Sequence, residues 1–285
     1  MGDLILTIEE KMHTFSKGQR LIAKYLIDNY DKAAYMTASK LGSLVGVSES
    51  TVVRFAIELG FEGYPELQKA LQDVIRTRLT HNQRIAVTNT RIGEGSILDK
   101  VLLSDAEKIK STLESISRED FDRAVDRIIS ARKIYIMGVR SSAALAGFLS
   151  YSLNLVFDNI RLITSTSRTE VFENLFPMTN EDVLIAIGFP RYSTRLINAV
   201  EYATNIGAGV IALTDNTASP IAKGASEVLV AHNDIASYIE SLVAPLSVVN
   251  ALTVAIGKKK QAELKERFDK LETLWEQFDV YQKHR

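Results

Sequence analysis

Five short runs of β-branched and aliphatic residues, at 134–137, 161–164, 183–187, 210–213 and 228–231, recur through the second half of the chain with helical patterns between them. Strands joined by helices pair in parallel, because the crossover returns the chain to its starting edge. The alternation predicts an α/β domain: a five-stranded parallel sheet with helices on both faces. A C-terminal segment from about 235 to 278 closes it. There Leu264, Phe268, Leu271, Trp275 and Phe278 recur at helical spacing, the mark of a core-packing or dimer helix.

Residues 1–80 have a different texture, all helical, with repeated start and stop signals. Ser16 and Gln19 form a capping box, ahead of a helix expected to bury Leu21, Ile22, Tyr25 and Leu26. Thr37 caps a second helix, expected to bury Leu41, Leu44 and Val45. Gly46, Val47 and Ser48 make a tight turn, with Ser48 capping a third helix that ends near Gly60. Pro65 opens a fourth, running to about Arg78. Residues 81–104 read as a linker, rich in Asn, Thr, Gly and Arg. A helical hairpin is expected over 105–130, with Ser117 and Asp120 as a carboxylate variant of the capping box. The expected domains are therefore 1–80, all-α, and 105–285, α/β.

The second and third helices have the geometry of a helix-turn-helix. Two helices that approach closely need a small residue in the first, a glycine at the turn and an aliphatic lock on the second. Gly42, Gly46 and Val52 fill those places. On the third helix Val52, Phe55, Ala56 and Leu59 share one face, and Ser50, Val53, Arg54 and Ile57 the other, with Thr51 at its flank. Such an outward face suits base edges and phosphates in a major groove. It equally suits an ordinary helical hairpin with a solvated outer side.

Charge does not separate the two. The 285 residues carry a net charge of −1, and residues 1–80 hold ten basic and ten acidic side chains. Nucleic-acid binding would need the basic groups gathered on one face, or two copies acting together. Arg76, Arg78, His81, Arg84 and Arg91 run without an acidic residue until Glu94, as a solvated linker or as phosphate contacts. The absence of cysteine excludes disulfides, thiolate metal sites and cysteine nucleophiles. Asp3, Glu9 and Glu10 around the apolar residues 4–6 read as no signal peptide, and no apolar stretch approaches the ~18 residues of a membrane span. A cytoplasmic protein that does not engage a membrane is expected.

The words VSESTVVRF, at 47–55, and LGFEGYPELQ, at 59–68, closely resemble the helix-turn-helix domain of RpiR-family transcriptional regulators. The resemblance continues into the second domain, which resembles the SIS (sugar isomerase) fold that such regulators carry as effector domain. It implies operator DNA as partner, with Ser48, Ser50, Thr51 and Arg54 as contact residues. It also implies a small phosphorylated sugar or related anionic effector, and no cofactor or metal. A single neutral domain makes few phosphate contacts, so a homodimer or homotetramer on a pseudo-palindromic operator is expected.

The SIS match begins at Ile134 and runs through Gly138, Val139, Arg140, Ser141, Ser142 and Ala143. This is a strand, a tight turn and a helix that starts at serine. Free N–H groups and the positive dipole end at a helix N-terminus can hold a phosphate, or the serine can simply cap. A second such turn runs from Gly188 to Thr194, and the effector residues implied are Arg140, Ser141, Ser142, Arg191, Ser193 and Thr194. The sequence departs from the SIS pattern here. Gly188 and Pro190 stand where serines are usual, Arg191 where glycine is usual, and Arg140 in place of the first loop's second glycine. Two arginines at the loop mouths can bind an anion bidentately or pair with local acids. A third turn, from Thr214 to Pro220, reads as structural capping.

The rival function is a phosphosugar isomerase-type enzyme, whose chemistry needs a base beside the sugar carbons. His232, Glu170 and Glu240 are the candidates, each read as a structural or ligand-contact residue, and no catalytic residue is assigned. His13, His81, His232 and His284 have no metal-ligand spacing. A nucleotide-binding reading fails on the first turn, which is not G-x-G-x-x-G.

Overall fold

The computed structural model describes residues 4–78, 95–165, 167–233 and 239–281. The chain divides into two compact units between residues 89 and 90. Residues 81–94 of the expected linker, with His81, Arg84 and Arg91, lie outside the described residues, as do the side chains of Arg76 and Arg78, and also Ile235 and His284.

The first unit is helical: α1 (Leu4–Glu10), α2 (Lys17–Ala33), α3 (Ala38–Val45), α4 (Glu49–Glu58) and α5 (Tyr64–Arg78). Its starts are those the sequence signals. Ser16 and Gln19 make both bonds of the capping box, Thr37 accepts from the Lys40 N–H, and Ser48 accepts from the Thr51 N–H. Ile8, Phe15, Ile22, Leu26, Leu41, Val52, Phe55, Leu67 and Leu71 form the core, with the Phe15 and Phe55 rings 5.0 Å apart. The Tyr64 hydroxyl donates to the Met36 carbonyl at 2.8 Å, tying α5 to the α2–α3 connection. Burial there raises its pKa to about 12.

Two expected core positions are corrected. Leu21 and Leu44 are 47% and 56% exposed. On α2 the packed stripe is Ile22, Ala23 and Leu26, and Leu21 lies one residue, about 100° of rotation, to its side. On α3 the approach of α4 draws the packed face onto Ala38, Leu41 and Gly42, leaving Leu44 outward.

That approach is close. A Cβ on Gly42 would stand 2.8 Å from the Val47 carbonyl oxygen, which belongs to backbone and cannot swing aside. Gly46 ends α3 with φ +76°, a left-handed cap that suits glycine. Gly42→Val is expected to destabilise the first unit by about 1–3 kcal/mol through overpacking, measured as the shift of its urea midpoint. A variant as stable as the parent would show that α3 and α4 can separate at no cost.

The second unit contains α6 (Ile97–Ser115), α7 (Arg118–Ser130), β1 (Ile134–Gly138), α8 (Ser142–Asn154), β2 (Ile160–Ile163), α9 (Arg168–Leu175), β3 (Val183–Ile187), α10 (Thr194–Asn205), β4 (Gly209–Thr214), β5 (Glu227–Val230), α11 (Val243–Lys259) and α12 (Gln261–Gln277). All five expected strands form, within one residue of the expected ends. They pair in parallel in the order β2-β1-β3-β4-β5. On one face Ile134, Ile136, Ile185, Ile211 and Leu229 pack against α7, α8 and α11. On the other Tyr135, Met137, Leu184, Ala186, Val210 and Ala212 pack against α9 and α10.

α6 begins at Ile97, within the stretch expected to be linker. The signal was present: the Ser96 hydroxyl accepts from the Asp99 N–H at 3.3 Å, an N-cap with a carboxylate three residues on. The C-terminal stripe is less covered than a core helix requires. Leu264 packs on the core, Phe268, Leu271 and Trp275 are half-buried, and Phe278 is exposed.

The edge strand β5 is clamped by α7. Glu227, only 2% exposed, receives two hydrogen bonds from the Arg127 guanidinium at 2.7 and 2.8 Å. The arginine reaches it by lying over Gly209, where a Cβ would meet its Cδ at 2.6 Å. Among the described residues no helix is long and apolar enough to cross a membrane.

Candidate functional site

The two units each carry a constellation. In the first, the face of α4 opposite Val52, Phe55 and Ala56 is open. Ser50, Arg54 and Ile57 are exposed, and Thr51 and Val53 are half-exposed. The Ser48 hydroxyl also shares hydrogen bonds with those of Ser50, at 2.9 Å, and Thr51, at 2.8 Å. Three hydroxyls and one guanidinium thus cluster in the first two turns of a helix. Its N-terminus is held off its neighbour by only a glycine's width. The arrangement leaves this end projecting and able to donate to phosphate or to base edges.

In the second unit the strand order places both glycine-led turns together. Gly138 registers with Ile187, so the β1–α8 and β3–α10 turns leave adjacent strands at the same edge. The chain winds one way from β1 to β2 and the other way from β3 to β4. The crevice between is the switch point where parallel sheets bind ligands.

Local geometry shows what these turns offer. Ser16, Thr37, Ser48, Ser96 and Ser117 each use a side-chain oxygen to cap their own helix. Ser141 and Ser193, at the heads of α8 and α10, make no such bond, and neither does Ser167 at the head of α9. Capping alone therefore does not account for serine at these places. Ser141 and Ser193 are half-exposed, Arg140, Arg191 and Thr194 exposed, while Ser142 is buried in the first turn of α8. Arg140 holds φ +60°, the left-handed conformation that glycine adopts readily and a longer side chain does not. Holding this conformation costs of order 1 kcal/mol.

Both glycines that lead these turns are held by close approach, and at Gly188 this accounts for one departure from the SIS pattern. A Cβ on Gly138 would meet the Ser142 carbonyl oxygen at 2.3 Å, so α8 folds directly back over β1. A Cβ on Gly188 would meet Leu196 at 2.5 Å and Ile221 at 3.2 Å. Leu196 fills the space that a serine side chain would need, and the second turn holds its hydroxyls further along, at Ser193 and Thr194.

The turn after β4, read as capping, does cap: Asn216 accepts from the Ala218 N–H at 2.9 Å and Ser219 from the Ala222 N–H at 3.2 Å. It also does something sequence reasoning missed. The Tyr192 hydroxyl donates to the buried Asp215 carboxylate and lies 3.4 Å from the Thr214 hydroxyl. Burial, then the neighbouring carboxylate, pushes the Tyr192 phenol far above its ordinary range. It stays protonated and pins the β3–α10 turn to the end of β4. An aspartate next to a strand end was the only signal, too common to single out.

The candidate bases lie on three separate segments of the second unit. His232 is 3.1 Å from the Ser115 hydroxyl on α6, and Glu170 bonds Ser165 before α9. Glu240 stands in a bridge before α11. Among the described residues no three His, Asp or Glu side chains gather as a metal site.

Comparison with known proteins gives each unit a counterpart. The model of the helix-turn-helix domain, rpiR family, matches residues 2–78, and that of the SIS domain matches residues 127–255. An uncharacterised HTH-type transcriptional regulator of Caldanaerobacter subterraneus is 25% identical over 267 residues, 91% of this chain and 92% of its own. The sugar isomerase domain of an RpiR transcription factor from Sphaerobacter thermophilus superposes with a TM-score of 0.60 at 27% identity, covering 63% of this chain and 99% of that one. The Vibrio vulnificus NanR protein, solved in complex with ManNAc-6P, shares the fold with a TM-score of 0.61 at 22% identity, covering 99% of this chain and 100% of its own.

Proposed function

Because the chain belongs to the RpiR family of transcriptional regulators, with an rpiR-type helix-turn-helix followed by a SIS domain, we propose that it reads an operator through α4 and answers to a phosphorylated sugar or related anionic metabolite. The observation that carries the effector half is the pair of serines, 141 and 193, at helix heads astride the β1–β3 switch point, neither capping its own helix. Helix N–H groups, those hydroxyls and the cations Arg140 and Arg191 around one crevice match a phosphate. The NanR complex with ManNAc-6P supports the ligand class. The relatives that match along most of the chain are named as transcriptional regulators, which favours sensing over turnover: the effector is bound and returned unchanged. The protein works where its DNA lies, in the cytoplasm, and pairs its weakly charged reading heads on two half-sites.

The test has two arms. Operators are selected from a random DNA pool and affinity is read by fluorescence anisotropy at fixed salt, since phosphate contacts make affinity salt-dependent. A panel of sugar phosphates is screened by thermal shift, since a ligand that binds only the folded state stabilises it. Arg54→Ala is expected to weaken specific binding by about 1–3 kcal/mol, the value of a bidentate base contact, and Ser50→Ala and Thr51→Ala by less. The ligand-induced thermal shift should be unchanged in all three. Parent-like operator affinity in Arg54→Ala would place the reading face elsewhere. Steady conversion of a sugar phosphate would make the second unit an enzyme.

A further inference from the structure

Four polar side chains from two separate turns converge behind the candidate crevice: Tyr192 from the β3–α10 turn, and Thr214, Asp215 and Ser219 from the end of β4 and the turn after it. The last three are buried. The Tyr192 hydroxyl donates to the Asp215 carboxylate, with the Thr214 hydroxyl 3.4 Å away and Ser219 as a further hydrogen-bond partner. Asp215 also accepts from the Thr214 hydroxyl at 3.3 Å and from Asn216 Nδ2 at 3.0 Å. Polar groups at this depth cost free energy unless they are bonded. An apolar side chain in place of the phenol and its acceptors would fill the space without that cost. What a bonded cluster adds is direction, since it holds the groups it joins in one arrangement.

The place of Tyr192 in its turn says what is being directed. The turn is first held at Gly188 and the buried Phe189, under Leu196 and Ile221. Tyr192 is the second inward point. On either side of it Arg191 is exposed and Ser193 half-exposed, the serine in extended backbone at φ −77° and ψ 128°. Neighbours of an inward residue in extended chain project the other way. The inward phenol therefore turns 191 and 193 outward together. These side chains matter more here than in a turn of small residues, because Pro190 supplies no N–H to an anion.

We propose that Tyr192 is a positioning residue of the anion site: without touching the ligand, its bond to Asp215 sets Arg191 and Ser193 toward the crevice. The proposal rests on the effector reading above, and the test lets the two fail separately. The full chain is titrated with inorganic phosphate by isothermal calorimetry. Ser193→Ala should weaken phosphate binding, which checks the site itself. Tyr192→Phe keeps the ring and loses only the hydroxyl, and should weaken it by about tenfold, within the range for residues coupled in one hydrogen-bond network. In the Ser193→Ala background the same change should cost clearly less, since one of the two groups it directs is gone. Asp215→Ala separates position from charge. By charge alone, removing a carboxylate behind an anion site tightens binding; losing the anchor weakens it, and weakening is expected. Asp215→Asn keeps an oxygen that accepts from the phenol and should bind phosphate at least as well as the parent, which keeps the test decisive if Asp215→Ala folds poorly. A parent that takes no phosphate in the millimolar range, or Ser193→Ala with parent affinity, would overturn the effector site and the positioning role with it. Where Ser193→Ala does weaken binding, parent affinity in Tyr192→Phe, full additivity of the two changes, tighter binding by Asp215→Ala or weaker binding by Asp215→Asn would overturn the positioning role alone.

Discussion

Arg127→Ala is expected to destabilise the α/β unit by about 2–4 kcal/mol. Glu227 is 2% exposed and takes both of its hydrogen bonds from this one guanidinium. Removing the arginine leaves a carboxylate in the core without its counter-charge, a loss of about 3–5 kcal/mol where the pair is wholly buried. Arg127 keeps 39% of its side chain in solvent, so water already screens part of the attraction and can partly replace it. The expected loss is smaller for that reason. Arg127→Ala also removes the stem that lies over Gly209, and with it the bridge from α7 across β4 to β5. Urea unfolding read from the second unit measures the loss. Arg127→Ala with Glu227→Gln should be less destabilised than Arg127→Ala alone, because no unpaired charge then remains. A single variant within 0.5 kcal/mol of the parent, a limit taken from ordinary surface changes, would show that solvent alone satisfies Glu227.

Ser141→Ala combined with Ser193→Ala is expected to abolish the response to effector while leaving operator binding by the unliganded protein intact. Hydrogen bonds to a charged phosphate contribute about 1.5–3 kcal/mol each, so losing two weakens the effector by at least about a hundredfold. The two serines head different helices on the two sides of the switch point, and no redistribution within one loop replaces both. An effector can shift DNA binding only by the difference in its affinity for two arrangements of the protein, so a ligand that no longer binds cannot shift it. Titration of the parent's best sugar phosphate against the operator complex gives the readout. A double variant that responds at the parent's effector concentration would remove these hydroxyls from the site.

The architecture was legible because its signals are local and repeated. Each strand of the sheet is a short β-branched run, and each cap of the helix-turn-helix is a serine or threonine whose partner lies three residues on. Misreadings arose where a neighbour distant in sequence decides the outcome. Leu44 has the spacing of a core residue, and it is α4 that leaves it outside. Residues 97–104 have a cap and four large apolar side chains, but those side chains face away from their own unit, so the usual inward periodicity is missing. At the candidate crevice the two turns were readable one by one as strand, turn and serine-headed helix. Their adjacency was not, since it depends on β3 pairing with β1 rather than β2. The Tyr192–Asp215 bond lay beyond reach for the same reason: it joins ends of two strands that meet only in the folded sheet.

The all-parallel sheet also sets the order in which the chain acquires its structure. Without a single hairpin, every ladder waits for a crossover, and the central pairing must bring Ile134 to Val183 with α8, β2 and α9 between them. Loop-closure entropy is lost before such distant contacts can return any stabilisation, and non-local topologies fold slowly for that reason. The first unit closes its core among residues 4–78 through helices that mostly follow one another in sequence. During synthesis it emerges first and carries the faster topology. A nascent chain thus holds a finished helix-turn-helix while the crevice between β1 and β3 is still unformed.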